Sequence, residues 1–307
     1  MNFVGFDTSN YTTSVAYFDG NTGMNCSKLL PVKQGELGLR QSDAVFAHIK
    51  GLPELSGRLF SHIAPESIGA VGVSTRPRAV DGSYMPCFMV GYTHAKLLSD
   101  TLHVPLFEFS HQQGHVAASL WSAGHLELMD EPHLAWHLSG GTTELLLVEP
   151  EGKNVRCTRI GGTSDISAGQ LIDRTGKLLA LPFPSGKHLD TLSQEAQGRE
   201  VFKVKCPAME FSLSGVQNKV EAFHNAHTDP AETAAYALRC VCAAVLLATK
   251  NALKAYPGLR VVFSGGVASN AMLRRELEPL NPIFSEPQYS TDNAMGIAVL
   301  TARALEG

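Results

Sequence analysis

Residues 133–152 read HLAWHLSGGTTELLLVEPEG: an apolar run, a polar Gly-rich turn, a second apolar run, and an acidic end with a glycine. That pattern encodes strand, tight turn, strand. The chain opens the same way. NFVGFDTS (2–9) is apolar and ends in turn residues, and TTSVAYFDG (12–20) alternates toward a Gly turn. Thr12-Thr13 and Thr142-Thr143 hold matching places, 130 residues apart. One phrase used twice at half-chain spacing points to two related lobes, with chance recurrence of Thr-rich hairpins as the alternative.

Between the copies the pattern is α/β. ESIGAVGVST is strand-like, CFMVGYTHAKLLSDTLH is helical, and VPLFEF is a strand running into FSHQQGHVAASLW. After the second copy come three helical stretches: SAGQLIDRTGKLLAL, SLSGVQNKVEAFHNA and PAETAAYALRCVCAAVLLATKNALKAY. LRVVFSGGVASNAMLRREL then reads strand, Gly-Gly turn, helix, and TDNAMGIAVLTARALEG is a final helix with Asp292 near its start. The best breaks fall near Trp136 and Ser285. They divide the chain into 1–135 plus 286–307, and 136–285.

Three local patterns carry chemistry. HLSGGTTE and VVFSGGVASN each place two glycines after an apolar strand, where backbone N–H groups can approach a phosphate with no Cβ in the way. A helix follows the second, adding a favourable end for an anion. The bland reading is a pair of tight turns. The third pattern is His111 and His115, four residues apart, so both imidazoles lie on one helical face and can share one ion. A zinc-protease helix of the H-E-x-x-H type needs a general base between its histidines, and Gln112 cannot serve. An ion bridging phosphate oxygens fits better, with Asp292 as third ligand. Zinc and iron both suit such a set.

With 25 Lys and Arg against 29 Asp and Glu, the formal charge is −4. A chain so near neutrality exerts no global pull on nucleic acid; RNA contact would need a local patch or a basic partner. MNFVGFDTS lacks the basic start and apolar run of a secretory signal, and the apolar stretch near CVCAAVLLAT reads as too short to span a bilayer. The expectation is a cytoplasmic protein without a membrane partner. Its six cysteines are read as reduced thiols, with Cys240 and Cys242 in the core.

Taken in order, GFDTS, HQQGH, LSGGTTEL, SAGQLIDRTGKLL, FSLSGVQNKV, SGGVASN and TDNAMGIA resemble the TsaD family, the tRNA threonylcarbamoyl transferases once called sialoglycoprotein endopeptidases. The match runs from residue 3 to about 305. The resemblance implies an α/β, two-lobed, actin-like or sugar-kinase-like ATPase fold with duplicated mixed-sheet lobes. It implies a divalent ion, iron or zinc, on His111, His115 and Asp292, which would also act at the reacting group. ATP or threonylcarbamoyl-adenylate would be lined by His137, Leu138, Ser139, Gly140, Gly141, Asp173, Gly186 and Asn270. The family moves a threonylcarbamoyl group from its adenylate to N6 of an adenosine in tRNA, aided by partner proteins in a multiprotein complex.

The chain departs from that family at three places. Tyr11 and Thr12 stand where the family has an acidic pair, and Thr142 replaces a histidine in SGGH. TRPRAVDGSYMP, with Arg76 and Arg78, replaces a Gly-Pro-Gly loop. A divergent carbamoyl-type transferase with another acceptor, or a non-catalytic nucleotide-binding partner, are the alternatives. A metallopeptidase is the least favoured.

Overall fold

A computed structural model describes residues 1–30, 39–291 and 293–306. The chain divides into two compact units. The first holds 1–131, 149–157 and 288–307; the second holds 132–148 and 158–287.

The first unit begins with three strands, β1 (Asn2–Thr8), β2 (Thr12–Phe18) and β3 (Gly23–Leu29), paired antiparallel in sequence order. Helix α1 (Gln41–Phe60) leads to β4 (Ile68–Arg76), which lies parallel to β1. Helix α2 (Phe88–Leu102) crosses to β5 (Leu106–Ser110), parallel to β4, and β5 runs straight into α3 (His111–Ser122). The sheet order is β3-β2-β1-β4-β5. β1 is buried on both faces, as expected of a central strand covered by helices. The chain's last helix, Met295–Leu305, packs against its Gly5, where a Cβ would stand 2.5 Å from the Ala298 nitrogen.

The second unit repeats the plan. Strands β6 (His133–Leu138), β7 (Thr143–Glu151) and β8 (Asn154–Thr163) follow in order, with β6 and β7 antiparallel. Then come α4 (Ala168–Leu178), α5 (Gly186–Ser193), the short β9 (Glu210–Phe211), α6 (Ser214–His227) and α7 (Pro230–Ala255). Strand β10 (Val261–Ser264), α8 (Ala271–Leu277) and β11 (Ile283–Phe284) finish it, and the Met295–Leu305 helix is α9. The order is β11-β10-β6-β7-β8-β9. Apart from β9 this mirrors the first sheet, with β10 parallel to β6 as β4 is to β1. The registers match too: Thr8 faces Thr13, and Leu138 faces Thr143. The repeated phrase is a duplicated hairpin.

Helix α1 has no counterpart in the sequence reading. Its buried Ala44, His48, Leu52, Leu55 and Leu59 form one buried stripe, apolar except for His48 and interrupted in sequence by Pro53. Helix α7 corrects another expectation. At 26 residues it is long and apolar enough, by length and composition, to cross a membrane, and 72% of its most apolar window is buried within the protein. Its Cys240 and Cys242 are buried, and all six cysteines are free. Trp136, fully buried beneath α7, donates its indole N–H to Thr249 Oγ1 at 2.9 Å, so the apolar core leaves that polar atom satisfied.

Candidate metal centre and nucleotide loops

The histidine pair is set by the junction of β5 and α3. Ser110 is the N-cap: its hydroxyl accepts from Gln113 N, while the Gln113 side-chain oxygen accepts from Ser110 N. This capping box makes His111 the first helical residue and puts His115 one turn on. The two Nε2 atoms lie 2.9 Å apart. Nitrogens bound to one ion at about 2.0–2.1 Å sit roughly 3 Å apart when they occupy neighbouring positions, so the pair is arranged as two ligands would be.

Asp7, at the carboxyl end of β1, is 1% exposed, and its Oδ2 lies 2.5 Å from His111 Nδ1. Its other oxygen accepts from Ser9 N at 2.9 Å. With Nδ1–H donating to Asp7, the Nε2 lone pair of His111 faces His115. A carboxylate behind a ligating imidazole fixes its tautomer and raises its basicity. The residues present therefore suit a divalent ion. Among the described residues no cluster of three or more His, Cys, Asp or Glu suited to hold a metal occurs. The expected third ligand, Asp292, lies outside the described residues.

Gly114, odd inside a plain helix, is explained by packing. A Cβ there would stand 2.8 Å from Ile297 Cδ1, and one on Gly296 would run into the Gly114 carbonyl oxygen. The two glycines let α3 and α9 touch backbone to backbone. Cys87, fully buried near the start of α2, has its thiol pushed up to about 11 by burial and by the negative charge of Asp7, so it is held as the neutral thiol. His48 is fully buried and shares a 2.7 Å hydrogen bond with Thr13 Oγ1. Burial pushes its pKa down, against the opposing pull of the Ser9 backbone and Asp7. Sequence reading missed Asp7 and His48; the one available signal was an acid ending the first strand, in GFDTS.

The residues expected to line a nucleotide all lie in the second unit. At the β6–β7 turn, Ser139 N donates to Thr142 O at 2.8 Å and Thr142 N to Ser139 Oγ at 3.1 Å. Ser167, the N-cap of α4, donates its hydroxyl to Gly140 O at 2.6 Å. Gly169 is needed for this approach, because a Cβ would stand 2.5 Å from Gly140 Cα. At the other turn Gly265 has φ +90° and lies against the Leu138 backbone. Gly140, Gly141 and Gly266 differ: a Cβ on any of them meets open space, and none has a positive φ. Neither packing nor backbone conformation requires glycine at these three positions.

Leu138 is fully buried, so only its backbone is available. His137 Nδ1 lies 3.3 Å from Ser264 Oγ, joining the ends of β6 and β10. Asn270 caps α8, accepting from Leu273 N at 2.9 Å. Asp173 accepts from Ser185 N at 2.8 Å and so holds the loop that presents Gly186 at the start of α5. Burial pushes its carboxyl up, partly offset by that hydrogen bond. A further acid was not foreseen. Asp165 accepts from Ser212 and Ser214 hydroxyls and from Leu213 and Ser214 N–H groups, tying the start of α6 to the loop before α4.

Two sheets of one plan, one ending in a histidine pair and the other in open glycine turns, define an actin-like, sugar-kinase-like ATPase fold. Solved structures agree on the fold: HypF from T. kodakarensis has TM-score 0.66 and 13% identity, covering 99% of this chain and 48% of that one. A ROK hexokinase from Thermus thermophilus has TM-score 0.52 and 16% identity, covering 100% and 99%. The family model for tRNA N6-adenosine threonylcarbamoyltransferase (TsaD) matches residues 38–299. A protein of that name from Carboxydothermus hydrogenoformans is 31% identical over 264 residues, 82% of this chain and 75% of that one. The chain belongs to the TsaD family.

Proposed function

We propose that the chain transfers a threonylcarbamoyl group from its adenylate to N6 of an adenosine in tRNA. The observation that carries this reading is the His111–His115 pair with its Nε2 atoms 2.9 Å apart and Asp7 behind it, in a chain of this family. In the reaction the adenosine amine attacks the carbamoyl carbon, the bond to the phosphate oxygen breaks, AMP leaves, and the amine gives up a proton.

His111, His115 and Asp292 would hold a divalent ion, iron or zinc. When bound, it supplies positive charge that polarises oxygen atoms and offsets charge on the leaving phosphate. Asp7 keeps the His111 proton on Nδ1. The open backbone at Gly140, Gly141 and Gly266 offers N–H groups to phosphate, and Asp173 positions the Ser185–Gly186 loop for the nucleoside. Partner proteins would supply the positive surface for tRNA that a net charge of −4 does not.

The test is incubation of the purified chain with threonylcarbamoyl-adenylate and unmodified tRNA, with nucleosides read by mass spectrometry and with TsaD partner proteins added in a second arm. Absence of the modified adenosine in both arms sinks the reading. A second reading, transfer to another acceptor, is favoured by Tyr11 and Thr12: the turn after β1 has no carboxylate at either position to take the amine proton.

A further inference from the structure

Strand β4 ends at Arg76, whose Cα pairs with Ser110 after a register shift past Thr75. Ser110 is the cap that precedes His111. The loop leaving Arg76 is fastened onto the same helix, because Gln112 N donates to Pro77 O at 3.0 Å. It then closes on itself, with Arg78 N donating to Ser83 Oγ at 2.9 Å. Two arginines therefore follow the carboxyl end of β4, beside the first turn of α3. Both arginines are exposed, and no ion pair among the described residues engages Arg76. Two positions before Arg76, the Ser74 hydroxyl is fully buried and among the described residues has no hydrogen-bond partner. Ser74 follows Val73, the register partner of Phe6, so it stands at the level of Asp7.

We propose that Arg76, with Arg78 beside it, binds the carboxylate of the acyl group being transferred and selects acyl groups by it. The inference rests on the transferase reading above. Arg76 is in register with Ser110, the residue before His111, and the threonyl carboxylate of the adenylate lies close to the carbamoyl carbon that would sit at the histidine pair. A planar carboxylate suits the bidentate fork of a guanidinium. An RNA backbone suits this loop less. Tracking phosphates takes many cations, and the loop offers two arginines against its own Asp81.

The test uses the full chain, its Arg76→Ala, Arg76→Lys and Arg78→Ala variants, and calorimetric titration with hydrolysis-resistant analogues of threonylcarbamoyl-adenylate and carbamoyl-adenylate. Only the first analogue carries the carboxylate. Arg76→Ala is expected to weaken the threonylcarbamoyl analogue by about 10–100-fold and to change the carbamoyl analogue by less than about twofold. Arg76→Lys should recover part of the loss, and Arg78→Ala should show a smaller loss of the same kind. Equal losses for both analogues, or none, overturn the assignment while leaving the transferase reading intact. An Arg76→Ala variant that instead lowers the salt dependence of tRNA binding makes the ligand an RNA phosphate and overturns it as well. Failure of the wild-type chain to bind either analogue, alone and with the partner proteins added, sinks the transferase reading and this inference together. Matched unfolding temperatures confirm that the variants fold.

Discussion

Asp7 and His111 stand 104 residues apart in the chain and meet across 2.5 Å, a buried carboxylate against an imidazole Nδ1. The contact joins the end of the first strand to the start of α3, and it decides which nitrogen of His111 is available to a ligand. The same strand end carries Thr8, whose hydroxyl accepts from Gly91 N and donates to Cys87 O. α2 and α3 are thus both referenced to β1.

The purified chain should hold about one divalent ion, and His111→Ala or His115→Ala should strip most of it. Asp7→Asn should keep the ion but weaken it by roughly 10–100-fold, because the imidazole loses the partner that orients it. Elemental analysis and chelator competition check this. Equal metal in wild type and both histidine variants would falsify the assignment.

Gly141→Val and Gly266→Val should leave the free protein's unfolding temperature nearly unchanged, since a Cβ at either site meets open space. They should abolish the stabilisation by ATP or ADP, which at ~100 times the dissociation constant is worth about 2.7 kcal/mol. Gly265→Ala should do the reverse. It forces a side chain into φ +90° against the Leu138 carbonyl and should cost the free protein about 1–3 kcal/mol. Thermal unfolding with and without nucleotide separates the two classes.

Asp165→Ala should destabilise the chain by about 1–2 kcal/mol, as loss of a helix N-cap does. Burial alone would push the Asp165 carboxyl up. The hydrogen bonds from Ser212, Ser214 and the Leu213 and Ser214 N–H groups outweigh it and hold the carboxyl far below the usual carboxylate range. A depressed folded value means the stabilisation is complete above the ordinary carboxylate pKa, about 3.9, and fades as pH falls toward the folded value. Denaturant melts from pH 7 to pH 3 should show the gap between wild type and Asp165→Asn narrowing only at the acid end. A gap independent of pH would mean the carboxylate's charge is irrelevant.

Tyr11 is 42% exposed and Thr12 is 4% exposed, paired with Leu29 in the sheet. Tyr11→Asp therefore adds a solvated carboxylate at the turn after β1, whereas Thr12→Glu buries a charge and should cost stability. If a missing base limits the reaction, Tyr11→Asp should raise transfer to adenosine, up to the 10²–10⁴-fold that a positioned base typically supplies. The measurement is rescue of a strain lacking its threonylcarbamoyl transferase. Full rescue by the unaltered chain would show that the two departures are harmless.

Much of this molecule is local, and local physics is readable in a sequence. The hairpin phrase and its copy declare their strands through alternation and their turns through glycine, which depend on neighbours a few residues away. His111 and His115 share a face because of helical spacing alone, and Ser110 and Gln113 cap that helix within one turn. The glycine turns at 140–141 and 265–266 are likewise local. Helix α1 was missed because its apolar stripe is diluted by exposed Phe46 and Ile49 and interrupted by Pro53. What only the tertiary structure decided are the contacts between distant segments. Asp7 reaches His111, His48 reaches Thr13, Asp165 reaches Ser212 and Ser214, and Gly296 reaches Gly114. The sheet order and the placement of residues 149–157 in the first unit belong here too. Their free energy comes from burying groups that meet only once the chain has folded, so no window of sequence contains both partners of such a contact.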